Sequence, residues 1–414
     1  MTWLDKARQS CLHEDMQALI SVTEAESIIS SHIHTGFTET VSFTDAYGRI
    51  LREPVYSDRD LPPFNRVMMD GIAIKHLSWS ELNRDFPIQG IQAAGSAALK
   101  LENEDHCIEV MTGCMLPEGC DTVIPIEQLN IQNSSAKIQA CANIKHGQYI
   151  HQQGSDSAAD NKLLEVGTKL LAPELSILAS CGKTKVLVSK LPHILLLSTG
   201  DEVIHPHHKP LPHQIRRSHA AGLTASITSL QLGKVDTEHV NDDPEKLESV
   251  IHQALEKYDI IVMTGGVSRG KYDYVAPILK KLLGAPLFHG IAQKPGKPFA
   301  FWQKNEHPPV FALPGNPVSV IACAARYLFP ALHKVVTGNI YQPDKLNVAG
   351  SFSCPPKFSS LTPAVLSNGS LQLESSINSG NFIALTGSHG VAELPGTLSD
   401  QKLEGIDANY YPWS

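Results

Sequence analysis

The sequence predicts a multidomain α/β plus β protein, with a doubly wound α/β domain flanked by two β-rich regions. Three observations carry that expectation. Between residues 186 and 335, apolar runs alternate with amphipathic helical segments. From 41 to 150, and again from about 343 to the end, short β-favouring pieces alternate with turn residues. A length of 414 residues also exceeds one ordinary core and implies two to four domains.

The elements follow in order. TEAESIISSHI reads as a helix with Thr23 as cap and Glu26 three residues on, a capping-box pattern. VSF, GIAI, CIEV, TVIPI and KIQA are strand pieces of a compact β-rich domain. Residues 147–182 read as a connecting segment ending in a short helix capped by Gly182. HILLLS (193–198) is a continuous apolar run, as expected of a strand buried on both faces. AAGLTASITSLQLG follows as a helix stopped by Gly233. KVDTEHV and DIIVM are strands with the helix PEKLESVIHQALEKY between them, and VAPILKKLLG and VSVIACAARYLFPALHKVV are later helices. This rhythm predicts a parallel, doubly wound sheet.

Composition narrows the function. Hydrophobic content of 42% with 18% charged residues belongs to a soluble globular protein. A net charge of −8 leaves no basic footprint, which argues against nucleic acid as a partner. Eight cysteines without a C-x-x-C pair read as reduced thiols. The N-terminus has no signal-peptide pattern, and no window reaches the ~18 apolar residues of a membrane span, so a cytoplasmic protein without a membrane partner is expected.

In open α/β sheets, ligands sit beyond the carboxyl ends of the strands. Three glycine-bearing loops fall there: STGDEV with Ser198, Gly200 and Glu202; TGGVSRGKYD with Gly265, Gly266 and Ser268; and LPGNPVS with Pro314, Gly315 and Asn316. Each lets backbone N–H groups approach an anion. The middle loop nearly spells a phosphate-binding P-loop, but Tyr272 stands where Ser or Thr would hold a metal. Glu202, Asp242, Asp243 and Asp273 lie beside these glycines and fit Mg²⁺ bridging phosphate oxygens, although Asp243 before Pro244 is equally a helix cap. Lys294 and Lys297 flank a Pro-Gly turn in QKPGKPFAF and are suited to a phosphate. The loop HPHHKPLPH (205–213) holds four histidines, but its prolines fit a solvated loop better than a metal site.

STGDEV, TGGVS-x-G-x-x-D, KPGKP and LPGNPVS, in this order and spacing, resemble the molybdopterin molybdotransferase family (MoeA-type, including the C-terminal part of gephyrin). AYGRIL, LPPFNRVMMDGIAI, MTG-x-x-LPEG-x-DTVIPIE and QQGSD agree upstream, so the resemblance covers nearly the whole chain. It implies a doubly wound molybdopterin-binding α/β domain (186–335), an inserted β-rich domain (51–146), a discontinuous N-terminal and linker domain (1–50 and 147–185) and a small C-terminal β domain (340–414). It further implies an elongated homodimer with an active site shared between subunits. The implied substrates are adenylylated molybdopterin and molybdate, with Mg²⁺-dependent cleavage of the phosphoanhydride releasing AMP and molybdenum cofactor. A molybdopterin adenylyltransferase is an implied partner. Carried over residue by residue, Glu202, Asp242 or Asp243, and Asp273 are the carboxylates that position metal or water. Asp70, Thr112 and Asp156 are polar positions facing the partner subunit's site. Gly265, Gly266, Ser268 and Gly315 cradle anions, and Lys294 and Lys297 form the basic turn.

Most departures of the sequence from the family pattern remove negative charge or add positive charge, with Gly290 the exception. Phe64-Asn65-Arg66-Val67 stands where the family commonly has Phe-Asp-Asn-Ser, and Arg217-Ser218-His219 where it has Asp-Ser-Asn. Arg269 and Lys271 replace Val and Glu, Gly290 stands where a Lys is often found, and Ser388-His389-Gly390 replaces Ala-Asn-Gly. Two alternatives therefore stand beside the enzyme. One is a non-catalytic carrier or scaffold for molybdopterin or its nucleotide. The other is a nucleotide-cleaving hydrolase on the same α/β domain.

Overall fold

The computed structural model describes residues 19–266, 274–374 and 378–414. The chain divides into two compact units: Thr40–Val188, and Ser189–Ser414 together with the segment ending at Glu39.

The larger unit is centred on a six-stranded sheet of β1 (His193–Thr199), β2 (Lys234–Val240), β3 (Ile260–Thr264), β4 (Phe288–His289), β5 (Ala300–Trp302) and β6 (Val310–Leu313). Their spatial order is β2-β1-β3-β6-β5-β4. The first four in that order are parallel, and β5 runs antiparallel to both of its neighbours, β6 and the edge strand β4. The apolar run of β1 is explained by burial on both faces. Ile194 and Leu196 join a core with α1 (His219–Ser229), whereas Leu195 and Leu197 join another with α2 (Pro244–Lys257) and α3 (Val275–Leu283). The sheet is thus doubly wound, as the sequence predicts.

The first of these cores is completed by α4 (Pro317–Cys323), a π-helical turn at Ala324–Leu328, and α5 (Phe329–Thr337). The wider turn falls directly before Pro330, whose ring would clash with the carbonyl four residues earlier in a regular helix. By length and composition alone the helix Pro317–Thr337 could cross a membrane, but 67% of its most apolar window is buried, which makes it a core helix here.

Two local expectations need correction. The N-terminal helix spans Val22–Ser31, and its capping box is Ser21 with Glu24, not Thr23 with Glu26. The Glu24 N–H donates to Ser21 Oγ at 3.2 Å, and the Ser21 N–H donates to Glu24 Oε2 at 2.7 Å. Both pairs fit the motif; the start at Ser21 adds Val22 to Ala25 and Ile29 on the buried face. Helix α1 ends at Ser229, and Gln231 takes the positive φ of +55°. Gly233 serves a different purpose, because a β-carbon there would lie 2.5 Å from Ile194 Cδ1 and 2.9 Å from the Pro192 oxygen.

The C-terminal strands Asp344–Gly350, Ser359–Ser367, Ser370–Leu373, Gly390–Pro395 and Leu403–Pro412 close into a small barrel, since Ser359–Ser367 pairs with both Ser370–Leu373 and Gly390–Pro395. Gln293–Lys294 adds to it in parallel, opposite Ser359 and Ser360. Arg326, 2% exposed, holds the parts together: its Nη2 donates to Glu26 Oε2 of the N-terminal helix at 2.7 Å, and its Nε donates to Glu393 on the barrel. Burial opposes its charge, but Glu393, Tyr411, Tyr327 and Glu26 outweigh that and raise its pKa above the usual arginine value.

The smaller unit carries a six-stranded sheet ordered Thr122–Pro125, Gly71–Ile74, Cys107–Val110, Asp85–Gln92, Ser135–Ile138, Leu129–Gln132. Its apolar side chains are buried in separate clusters, one around Ile72, Ile74 and Ile124 and another around Ala73, Ile108 and Val123. The short helix Ala172–Ser180 ends as expected before Gly182, which has φ +67°.

Candidate functional site

The three glycine loops open on one cleft of ≈ 770 Å³ at the carboxyl ends of β1, β3 and β6. From the first loop it is lined by Thr199, Gly200, Asp201 and Glu202; from the second by Gly265 and Gly266; from the third by Pro314, Gly315 and Asn316. Asp242, beyond β2, faces the same space. The topology explains this gathering: adjacent parallel strands all deliver their following loops to one edge.

The first loop is shaped by its acidic residues. Asp201 Oδ1 accepts hydrogen bonds from Asn241 Nδ2 and the Asp242 N–H, both at 3.1 Å, tying the loop after β1 to the loop after β2. Gly200, with φ +127°, leaves room for Glu202: a β-carbon on Gly200 would sit 2.7 Å from Glu202 Oε2. Magnesium commonly takes one or two carboxylates and completes its shell with substrate oxygens and water. Glu202 and Asp242, on neighbouring loops of one cleft, are a donor set of that kind. Among the described residues no group of three His, Cys, Asp or Glu side chains is placed to hold a metal. That includes the histidine loop, where the His205 and His207 rings stack at 4.9 Å.

Two candidates do other work. Asp243 caps α2, its Oδ1 accepting from the N–H groups of Glu245 and Lys246 at 3.1 and 3.2 Å. Ser198 is buried, and its hydroxyl bonds the Glu238 carbonyl and His239 Nδ1 on β2, both at 3.2 Å. Thr199 takes the cleft-facing place. Sequence reasoning passed over Thr199, Tyr274 and Ser319, all of which line the cleft. The strand's two-residue alternation carries the signal for Thr199, one position beyond Ser198. Asp273, Ser268, Arg269 and Lys271 lie outside the described residues.

Beside the acidic loop, His239 has its pKa lowered, first by burial and then by the Arg217 charge, while Glu202 and Asp242 pull in the opposite direction. Burial also lowers that of His219. Arg217, one of the departures from the family pattern, is therefore close enough to His239 to act on its charge.

Lys294 and Lys297 line an adjoining cleft of ≈ 520 Å³ between the α/β domain and the barrel. The two clefts share Pro298, Asn316 and Ser319. Among the described residues neither lysine has a carboxylate partner, so both charges are available to an anion. Asn316 joins the barrel side as well: its Nδ2 donates to Ser379 Oγ at 2.9 Å.

The remaining candidates lie in the smaller unit. Asp70 Oδ1 accepts from the Thr112 N–H at 2.6 Å and from its hydroxyl at 2.7 Å, and these bonds lower the Asp70 pKa. Asp156 Oδ1 lies 2.8 Å from His151 Nε2, and His151 Nδ1 lies 2.9 Å from Arg66 Nη2. Arginine can only donate, so Nδ1 is the acceptor and the neutral ring's proton sits on Nε2, facing Asp156. Asn65 Oδ1 accepts the Gln153 N–H at 2.9 Å. Arg66 and Asn65, two departures from the family pattern, are thus both tied to the 150–156 segment.

Comparison with known proteins identifies the family and the fold. Residues 20–182 match the MoeA N-terminal region (domain I and II), and residues 195–334 match a probable molybdopterin binding domain. A molybdopterin molybdenumtransferase of Synechocystis sp. is 38% identical over 91% of this chain and 96% of its own length. One from Staphylococcus epidermidis is 29% identical over 91% and 92%. Two solved structures of a molybdopterin biosynthesis MoeA protein from Pyrococcus horikoshii give TM-scores of 0.78 and 0.76. Their identities are 26% and 24%, and they cover 96% and 95% of this chain and 99% and 100% of theirs.

Proposed function

Because the chain belongs to the MoeA-type molybdopterin molybdenumtransferase family, we propose that it completes molybdenum cofactor by inserting molybdenum from molybdate into adenylylated molybdopterin. The observation that carries this reading is the pair of joined clefts, one with glycine loops and carboxylates, the other with two lysines that have no carboxylate partner among the described residues.

The division of labour follows from charge. The loops at Gly200, Gly265, Gly266 and Gly315 let backbone N–H groups meet the phosphates of the adenylylated substrate closely. Glu202 and Asp242, with Asp273 as a third carboxylate, would hold Mg²⁺, which supplies charge neutralisation on the phosphate oxygens while the phosphoanhydride breaks. Lys294 and Lys297 attract the molybdate dianion to the adjoining cleft, next to the end of the pterin that receives it. Asp70, Thr112 and Asp156 complete the site from a second copy of the chain in a homodimer, and the reaction takes place in the cytoplasm.

Purified protein given adenylylated molybdopterin, Mg²⁺ and molybdate should release AMP, and omission of Mg²⁺ should stop it. Tight binding without AMP would establish a carrier instead. Equal cleavage of unrelated nucleotides would establish a hydrolase.

A further inference from the structure

The turn that carries Lys294 and Lys297 rests on a buried polar network that the chemistry above does not use. Gln293 has no exposed surface. Its Nε2 donates to the Gly296 carbonyl oxygen at 3.4 Å and to Cys323 Sγ at 3.3 Å, and its Oε1 accepts from the Tyr327 hydroxyl. Cys323 Sγ also reaches the Gly296 oxygen, at 3.8 Å. A carbonyl oxygen only accepts, so the amide nitrogen of Gln293 must face Gly296, and Tyr327 must be the donor at the other end.

Shape enforces the same arrangement. Gly296 has φ +96°, and a β-carbon there would stand 2.3 Å from Cys323 Sγ and 2.6 Å from Gln293 Nε2. Cys323 ends α4 and Tyr327 lies four residues on, within the π turn, so one stretch of helix presents both groups to the base of the turn. On the opposite side the turn is pinned by the pairing of Gln293 and Lys294 with Ser359 and Ser360. The exposed side chains of Lys294 and Lys297 line the cleft beside Pro295 and Pro298.

We propose that Gln293, Cys323 and Tyr327 are positioning residues that aim the basic turn and thereby set the affinity for the oxyanion, leaving phosphoanhydride cleavage unaffected. The affinity part rests on the reading of the lysine cleft as the molybdate side. Removing the Tyr327 hydroxyl leaves Gln293 Oε1 buried without a donor, and the amide then turns away and releases Gly296.

The test compares Tyr327→Phe, Cys323→Ala and Cys323→Ser with the wild type. Amide hydrogen exchange across 293–297 is measured alongside molybdate dependence, turnover at saturating molybdate and thermal midpoint. Tyr327→Phe should speed exchange in the turn and raise half-saturating molybdate about 5-fold, the loss of one modest hydrogen bond, with saturated turnover unchanged. Cys323→Ala should behave likewise and Cys323→Ser should restore wild-type values. A lowered midpoint with unchanged exchange and unchanged molybdate dependence would overturn the proposal. Lys294→Ala and Lys297→Ala serve as controls: if they leave molybdate dependence unchanged, the assignment of the cleft fails, and the exchange measurement alone decides whether the network positions the turn.

Discussion

The carboxylate of Glu202 folds back over the α-carbon of Gly200, with all three of its carboxyl atoms within 2.9 Å of where a β-carbon would be. The loop after β1 thus places an acid in the cleft by omitting a side chain two residues earlier. Gly200→Ala must push Glu202 aside as well as strain a backbone at φ +127°. Stability should fall by about 1–3 kcal/mol. AMP release should fall much further, by about 100-fold, as expected when a group that would hold the metal at the reacting phosphates is misplaced. Turnover measured beside a urea unfolding curve separates the two effects.

Asp242 and Asp243 are adjacent yet do different work. Asp242→Asn removes charge from the cleft, and even ~1.4 kcal/mol of lost Mg²⁺ binding raises the half-saturating Mg²⁺ concentration about tenfold. Asp243→Asn preserves the cap of α2, because Asn serves nearly as well as Asp there, and should leave activity and stability unchanged. Asp243→Ala should cost about 1 kcal/mol of stability. A Mg²⁺ titration of the three variants checks the assignment, and equal effects from both Asn substitutions would refute it.

Asp70 and Thr112 give a prediction about pH. The Thr112 N–H first, and its hydroxyl second, lower the Asp70 pKa. A carboxylate whose folded pKa is depressed contributes stability above its unfolded value, about 3.9, and loses that contribution as pH falls through the folded value. Thr112→Val removes the weaker donor and keeps the stronger. The Asp70 carboxyl, followed by ¹³C NMR, should therefore titrate at a higher pH than in the wild type while staying below an ordinary aspartate.

The cysteines should react in a fixed order. Burial pushes the thiols of Cys107, Cys120 and Cys323 up to about 12, so almost no thiolate exists at neutral pH. Cys141 is exposed. Iodoacetamide followed by peptide mass mapping should modify Cys141 early and the three buried residues only after denaturant is added.

Much of this site was legible because strand ends can be read from one sequence. HILLLS, DIIVM and the strand before LPGNPVS are buried strands, and the loops after them share one cleft. What escaped depends on which way a side chain points. Ser198 and Thr199 are equally suitable as residues, and only the register of β1 against β2 sends Ser198 to Glu238 and leaves Thr199 lining the cleft. Asp243 could be read as ligand or cap, and its two backbone donors show the cap. Ser21 and Thr23 both satisfy the capping-box pattern, so the choice fell to the packing of Val22. Gly233 looked like a helix stop, whereas its absent side chain makes room for Ile194. The Gln293–Tyr327 contact was out of reach, since it joins residues 34 apart through a helical turn whose π geometry has no sequence rule.

The N-terminal helix sets the order in which the chain can assemble. Val22, Ala25 and Ile29 share a core with Tyr327, Leu332 and Tyr411, and Glu26 meets Arg326 across 300 positions. This helix therefore leaves the ribosome about 300 residues ahead of the Arg326 region that it packs against. Within that interval Thr40–Val188, which is continuous in sequence, is completed and free to fold. Closing so long a loop is slow. The apolar face of Val22–Ser31 thus stays uncovered in a nascent chain until the residues around Arg326 and Tyr411 have been made.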